Sequence, residues 1–160
     1  MVWLLIIFCL AVAVSPLMWM KSSPRQQKIA DCRKIARTLA VNVNLRRRPD
    51  ALESEKRLDT IFYWVTWQYN KQPEPWVLHT SRRGWQSPFE GWRWVSGEAN
   101  ASWHEIIRST LGLLPEGVSA IMVTQEGLGV AWDERGEPEV VKNIAQCLGE
   151  LREKGEEIYS

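Results

Sequence analysis

The chain has 160 residues, 45% of them apolar and 24% charged, which suits one globular domain and excludes wholesale disorder or a low-complexity architecture. The formal net charge of +1 argues against a dedicated nucleic-acid binder or an acidic buffer protein, yet it hides a gradient. Residues 1–48 carry nine Lys/Arg against one Asp (+8), residues 49–97 six against six, and residues 98–160 five against twelve (−7).

Residues 1–20, MVWLLIIFCLAVAVSPLMWM, contain no charge. As a helix they cover ~30 Å at ~1.5 Å per residue, the thickness of a bilayer's hydrocarbon core, and this predicts a transmembrane helix. Trp3 and Trp19 fall near its two ends, where indoles favour the headgroup boundary. A cleaved signal peptide is the competing reading, because Ala11-Val12-Ala13 fits a small-x-small cleavage pattern. No basic segment precedes the apolar run, and apolar residues continue to Met20, which favours an uncleaved span. The basic residues that follow it, Lys21, Arg25, Lys28, Arg33, Lys34, Arg37 and Arg46-Arg47-Arg48, predict an N-terminus facing out. The remainder would then be cytoplasmic, in a single-pass membrane protein. Cys32 and Cys147 lack CxxC spacing and read as reduced core thiols.

Residues 21–40 read as a basic amphipathic helix beside the membrane, with Ser23 as N-cap and Pro24 at the first helical position. Ile29, Cys32, Ile35, Ala36, Leu39 and Ala40 form its apolar stripe. Two roles suit its cations, contact with anionic lipid or a partner, and enforcement of topology while the stripe packs on the domain. The expected membrane-interface set is Trp3, Trp19, Lys21, Arg25, Lys28, Arg33, Lys34 and Arg37.

Residues 41–160 should form the folded domain. Strict alternation over residues 41–46 predicts a half-buried strand, and Arg47-Arg48-Pro49-Asp50 ends it. Residues 51–58 read as a short helix or an ordered connection. Thr60 to Tyr69 is a strong strand signal, with Ile61, Tyr63, Val65, Trp67 and Tyr69 on one face and Phe62, Trp64, Thr66 and Gln68 on the other. Asn70 to Pro75 should turn the chain into a return strand at Trp76–Thr80, with another strand near Gly91–Val95, giving an antiparallel meander. Ser102 and Glu105 have capping-box spacing ahead of a helix on Trp103, Ile106, Ile107 and Leu111 that ends near Gly112. Residues 118–125 and 128–132 predict a hairpin at Glu126-Gly127, with Gly127 free to take positive φ. Val141, Ile144, Leu148 and Leu151 mark the face of a last helix. The fold class is therefore α+β, a transmembrane helix followed by a mainly antiparallel, Trp-rich sheet with packed helices.

The motif search yields no catalytic, cofactor-binding or metal-ligating residues. His104-Glu105 opens an apparent HExxH, but Arg108 replaces the second His, so a zinc protease is excluded. The carboxylates at Glu134, Glu137, Glu139, Glu150, Glu153, Glu156 and Glu157 read as a solvated face. Most of the ten Trp residues lie between Trp64 and Trp132, so an aromatic ligand platform is the alternative to core filling. Lined by Trp64, Trp67, Trp76 and His79, such a platform would suit a ligand-binding or enzymatic domain, and glycan if the domain were periplasmic.

The stretch SPLMWMKSSPRQQ, the Arg-containing helix after it and PEGVSAIMVTQEGLGVAWDERG together resemble a group of small bacterial inner-membrane proteins of unknown function, some labelled preprotein translocase subunit YajC. The resemblance implies a span, a Pro-Arg-Gln juxtamembrane helix and a compact cytoplasmic domain, and carries no catalytic residues. The expected function is a membrane-anchored interaction or accessory module without a cofactor. It would contact the bilayer and another membrane or cytoplasmic protein, not nucleic acid, with a possible role in protein translocation.

Overall fold

The computed structural model describes residues 2–19, 23–56, 58–68 and 73–159, with the side chains of the first helix described as far as Val12. That helix, α1, runs over Val2–Trp19 and contains no charged residue. Its side chains Val2 to Phe8, Leu10 and Val12 are exposed around the whole circumference. Among the described residues no helix is long and apolar enough to cross a membrane. At 18 residues α1 rises ~27 Å, and Met1 and Met20, needed for the expected twenty-residue span, lie outside the described residues, as does Lys21.

Helix α2 (Pro24–Thr38) starts as its sequence dictates. Ser23 Oγ accepts from the Gln26 N–H, the Gln26 side chain accepts from the Ser23 N–H, and Pro24 occupies the first turn. Cys32 and Ala36 are buried and Ile35 packs beside them. The stripe ends early, because the helix stops at Thr38 and leaves Leu39 and Ala40 exposed.

The rest of the chain is β1 (Asn42–Arg47), β2 (Asp59–Thr66), β3 (Trp76–His79), β4 (Trp85–Gln86), β5 (Arg93–Ser96), α3 (Ala101–Leu113), β6 (Val118–Val123), β7 (Gly127–Trp132) and α4 (Val140–Ile158). The seven strands form one antiparallel sheet in the order β1-β2-β7-β6-β3-β5-β4. This confirms the α+β class and corrects the meander. The β6–β7 hairpin inserts between β2 and β3, so Trp76–His79 pairs with β6 and β5 instead of returning on β2. The short connection predicts β2 and β3 as neighbours; β7, buried along its whole length, takes the place beside β2, and its hairpin partner β6 takes the place beside β3. Residues 51–58 form an irregular connection without a helix among the described residues, and Tyr69 to Gln72 lie outside them.

One face of the sheet is covered by helices. Tyr63 and Val65 of β2, Leu128, Val130 and Trp132 of β7, Ile121 and Val123 of β6, and Trp76 and Leu78 of β3 meet Cys32, Trp103, Ile107, Ile144, Leu148 and Leu151 there. The other face holds a smaller cluster, Phe62, Trp64, Ala120 and Ala131, with Met122 beside it. The alternation expected along β2 is thus observed.

Two local expectations change. The N-cap of α3 is Asn100, whose Oδ1 accepts from Ser102 N–H, so Ser102 lies inside the helix. Gly127 does not take a positive φ. What requires glycine at 127 and 129 is the close approach of β2: a Cβ at either site would strike a backbone carbonyl, of Val65 or Tyr63, and the Trp64 ring.

Candidate functional site

The expected membrane-interface residues divide into three groups. Trp3 is exposed on α1, whereas the Trp19 side chain and Lys21 lie outside what is described. Arg25, Lys34 and Arg37 are exposed on α2. Lys28 and Arg33 are turned onto the domain. Lys28 Nζ donates to Glu137 Oε1 at 2.5 Å, and both groups are more than half exposed. Arg33 donates from Nε to Glu134 Oε1 at 3.0 Å and from Nη2 to Oε2 at 2.9 Å, a bidentate pair.

The sequence places Glu134 on a solvated acidic face. It is instead buried, with its side chain 2% exposed. Tyr63 Oη also donates to Glu134 Oε1, at 3.1 Å, so the carboxylate has a cation and a neutral donor. Burial, followed by the charge of Glu134, pushes the Tyr63 hydroxyl well above its ordinary range, which keeps it a donor at neutral pH. Burial and the same carboxylate raise the Cys32 thiol. Glu134 holds φ at 55°, an uncommon backbone for a residue with a side chain. The β7–α4 connection is therefore shaped around this pair, and it fixes α2 against β2 and α4. A groove lined by Pro24, Arg25, Lys28, Glu134, Arg135 and Gly136 runs along the contact. No sequence signal joins residues 101 positions apart, so Arg33–Glu134 was beyond spacing arguments.

A second polar network lies where the chain leaves β1. Arg48 donates from Nε to Asp50 Oδ1 at 3.0 Å and from Nη2 to Glu55 Oε2 at 2.9 Å. Arg83 reaches Glu55 Oε1 at 2.6 Å and the Asp50 carbonyl at 2.7 Å. His79 Nε2 lies 3.4 Å from Asp50 Oδ1, and its Nδ1 accepts the Ser81 N–H at 2.8 Å. That acceptor role places the proton on Nε2 and leaves no free lone pair for base catalysis. Burial holds the His79 pKa below its ordinary value, and the Asp50 charge opposes this only in part. The network ties the connection after β1 to the end of β3. Arg48, part of the triple Arg, is thereby committed to carboxylates.

The aromatic platform does not assemble. Trp76 is on the helix-covered face, while Trp64 and His79 are on the other, in register with Gly129 and Ala120. The Trp side chains are instead spent on one another. Trp76 meets Trp94 and Trp103 edge-on at 5.8 and 5.5 Å, and Trp103 meets Trp67 at 6.5 Å. Trp67 Nε1 donates to Thr124 O, Trp103 Nε1 to Tyr159 Oη and Trp132 Nε1 to Glu116 O. Trp64 packs against Gly129, and the Arg46 guanidinium lies over its ring, 3.8 Å from the centroid. Among the described residues no three His, Cys, Asp or Glu side chains gather as metal ligands. No protein-family model matches the chain, and no curated protein or solved structure is detectably similar to it.

Proposed function

We propose that this chain is a membrane-anchored interaction module, held by residues 1–20, whose α+β domain faces the cytoplasm and works by binding another protein. The observation that carries the reading is α1: an uncharged helix with apolar side chains exposed on every side. A helix apolar all round needs an apolar surrounding, and a bilayer supplies one. The twenty uncharged residues of the sequence would cover ~30 Å as a helix, the thickness of a bilayer's hydrocarbon core. The exposed cations Arg25, Lys34 and Arg37 support the orientation. The interlocked Trp side chains and the fully engaged His79 favour a packing role for the aromatic sheet over a substrate platform.

Fractionation tests the reading. The full-length chain should stay in the membrane pellet through an alkaline carbonate wash, and Leu5→Arg with Phe8→Arg should release it. A reporter fused after Ser160 should be active only if its activity requires the cytoplasm. Recovery of the intact chain in the supernatant, or of a mature product starting beyond Ala13, would overturn the anchor. Co-purification from detergent-solubilised membranes then identifies the partner, including the protein-translocation accessory role implied by the resemblance.

A further inference from the structure

We propose that β1 is a self-association edge, through which two copies pair antiparallel about a two-fold axis at Asn44 and join two seven-stranded sheets into one. This does not depend on the anchor. The sheet has two unequal edges. At one end β4 is two residues long, and its Trp85 indole N–H is engaged by Glu98. At the other end β1 pairs with β2 over six consecutive residues without a bulge or a proline. Among the described residues no strand pairs with its outer side, which leaves a row of backbone donors and acceptors, the kind of edge that sheets ordinarily blunt or cover.

The side chains choose the occupant and the register. Val43 and Leu45 point to the helix-covered face, opposite Tyr63 and Ile61; Asn42, Asn44 and Arg46 point to the other, opposite Trp64, Phe62 and Thr60. Leu45 is 69% exposed at the edge while Val43 is half-buried. A two-fold axis normal to the sheet keeps every residue on its own face, so the residue numbers of each pair must sum to an even number. Centring on Asn44 places Leu45 beside Val43 of the second copy, and Val43 beside its Leu45. It also sets each Arg46 opposite an Asn42, so that no two cations face one another. Centring on Leu45 would set Arg47 against Val43; centring on Val43 would shorten the paired segment. Arg46 is in addition held in its own copy by the Trp64 ring and by Glu126 at 3.8 Å, which lowers the charge the edge presents. A second copy therefore completes both the backbone ladder and the apolar row.

Site-specific cross-linking of the full chain in detergent tests the pairing, in a Cys9→Ser background because Cys32 and Cys147 are buried. Asn44→Cys should form a disulfide-linked dimer under mild oxidation, since facing residues have Cα atoms within ~5.5 Å. Asn42→Cys alone should remain monomeric, because two copies of residue 42 sit four residues apart, ~14 Å along the ladder. Mixing Asn42→Cys and Arg46→Cys chains should restore the cross-link. Leu45→Lys should abolish the Asn44→Cys dimer while the chain stays folded by Trp fluorescence, because Leu45 is exposed in the single copy. An Asn44→Cys chain that stays reduced, or an Asn42→Cys chain that cross-links as readily, would overturn the proposal.

Discussion

Ala40 holds a left-handed backbone, φ 56°, one residue past the C-cap of α2. Val41 N–H returns to Ala36 O at 2.9 Å and Ala40 N–H to Arg37 O at 3.2 Å, a closing pattern that usually carries glycine at the left-handed position. Val41 and Ala36 are both buried, so the cap is fixed by packing and the strain of a Cβ is tolerated. Ala40→Gly should therefore stabilise the domain by ~1 kcal/mol, seen as a higher thermal midpoint by Trp fluorescence. A second residue-scale expectation concerns acid. Burial keeps the folded His79 pKa below that of the unfolded chain, ~6.5. As pH falls below ~6.5 the unfolded chain takes up a proton that the folded His79 refuses, and stability drops until the folded pKa is passed. Asp50 continues the trend: burial opposes its ionisation, but hydrogen bonding from Arg48 and nearby positive charge hold its pKa low. Its contribution is present above ~3.9 and lost below. Urea titrations from pH 7.5 to 3 should show both limbs, and His79→Gln should flatten the first and weaken the second, because the His79 charge is among those that hold the Asp50 pKa low.

Between β2 and β7, approach distance controls the pairing. Gly129 faces Trp64, and a Cβ there would meet the Tyr63 carbonyl oxygen and the indole ring. Backbone cannot yield there without breaking the ladder, so Gly129→Ala should cost ~1–3 kcal/mol. Gly149 in α4 has open space where a Cβ would stand, and Gly149→Ala should gain ~0.5–1 kcal/mol from helix propensity. Opposite shifts of the thermal midpoint from one chemical change would separate contact from propensity. These elements also show what the sequence makes legible. Period-2 and period-3.6 patterns located β2 and α4 and the residues they bury, because burial of one face imposes those periods locally. Ser23-Pro24 located the start of α2 for the same local reason. Strand order was not legible: insertion of β6–β7 between β2 and β3 is decided by competition among distant apolar strands, which no local pattern records. Glu134 was missed because its burial depends on Arg33 and Tyr63, remote in sequence, while its neighbours Asp133 and Arg135 are exposed.

Over the whole molecule, the charge gradient has a partly internal explanation. Lys28 and Arg33, from the basic first third, pair with Glu137 and Glu134, from the acidic last third, and draw α2 onto the domain. On the proposed topology the basic segment would serve two ends, and mutation should separate them. Arg25, Lys34 and Arg37 are exposed, so replacing all three by Glu should leave the thermal midpoint within a few degrees of the parent. The same triple variant removes positive charge beside the proposed anchor, and a C-terminal topology reporter should then register a mixed or inverted population. Arg33→Ala reverses that pattern. It leaves the buried Glu134 carboxylate with Tyr63 as its remaining donor among those described. Since Arg33 itself is 43% exposed, solvent offsets part of the pair's worth, and a loss of ~1–3 kcal/mol is expected. Topology should be unchanged, because one cation of the flanking set is lost while the rest remain. If the triple variant melted early with normal topology, the exposed cations would be structural and the pairing with Glu134 and Glu137 would not be what docks α2.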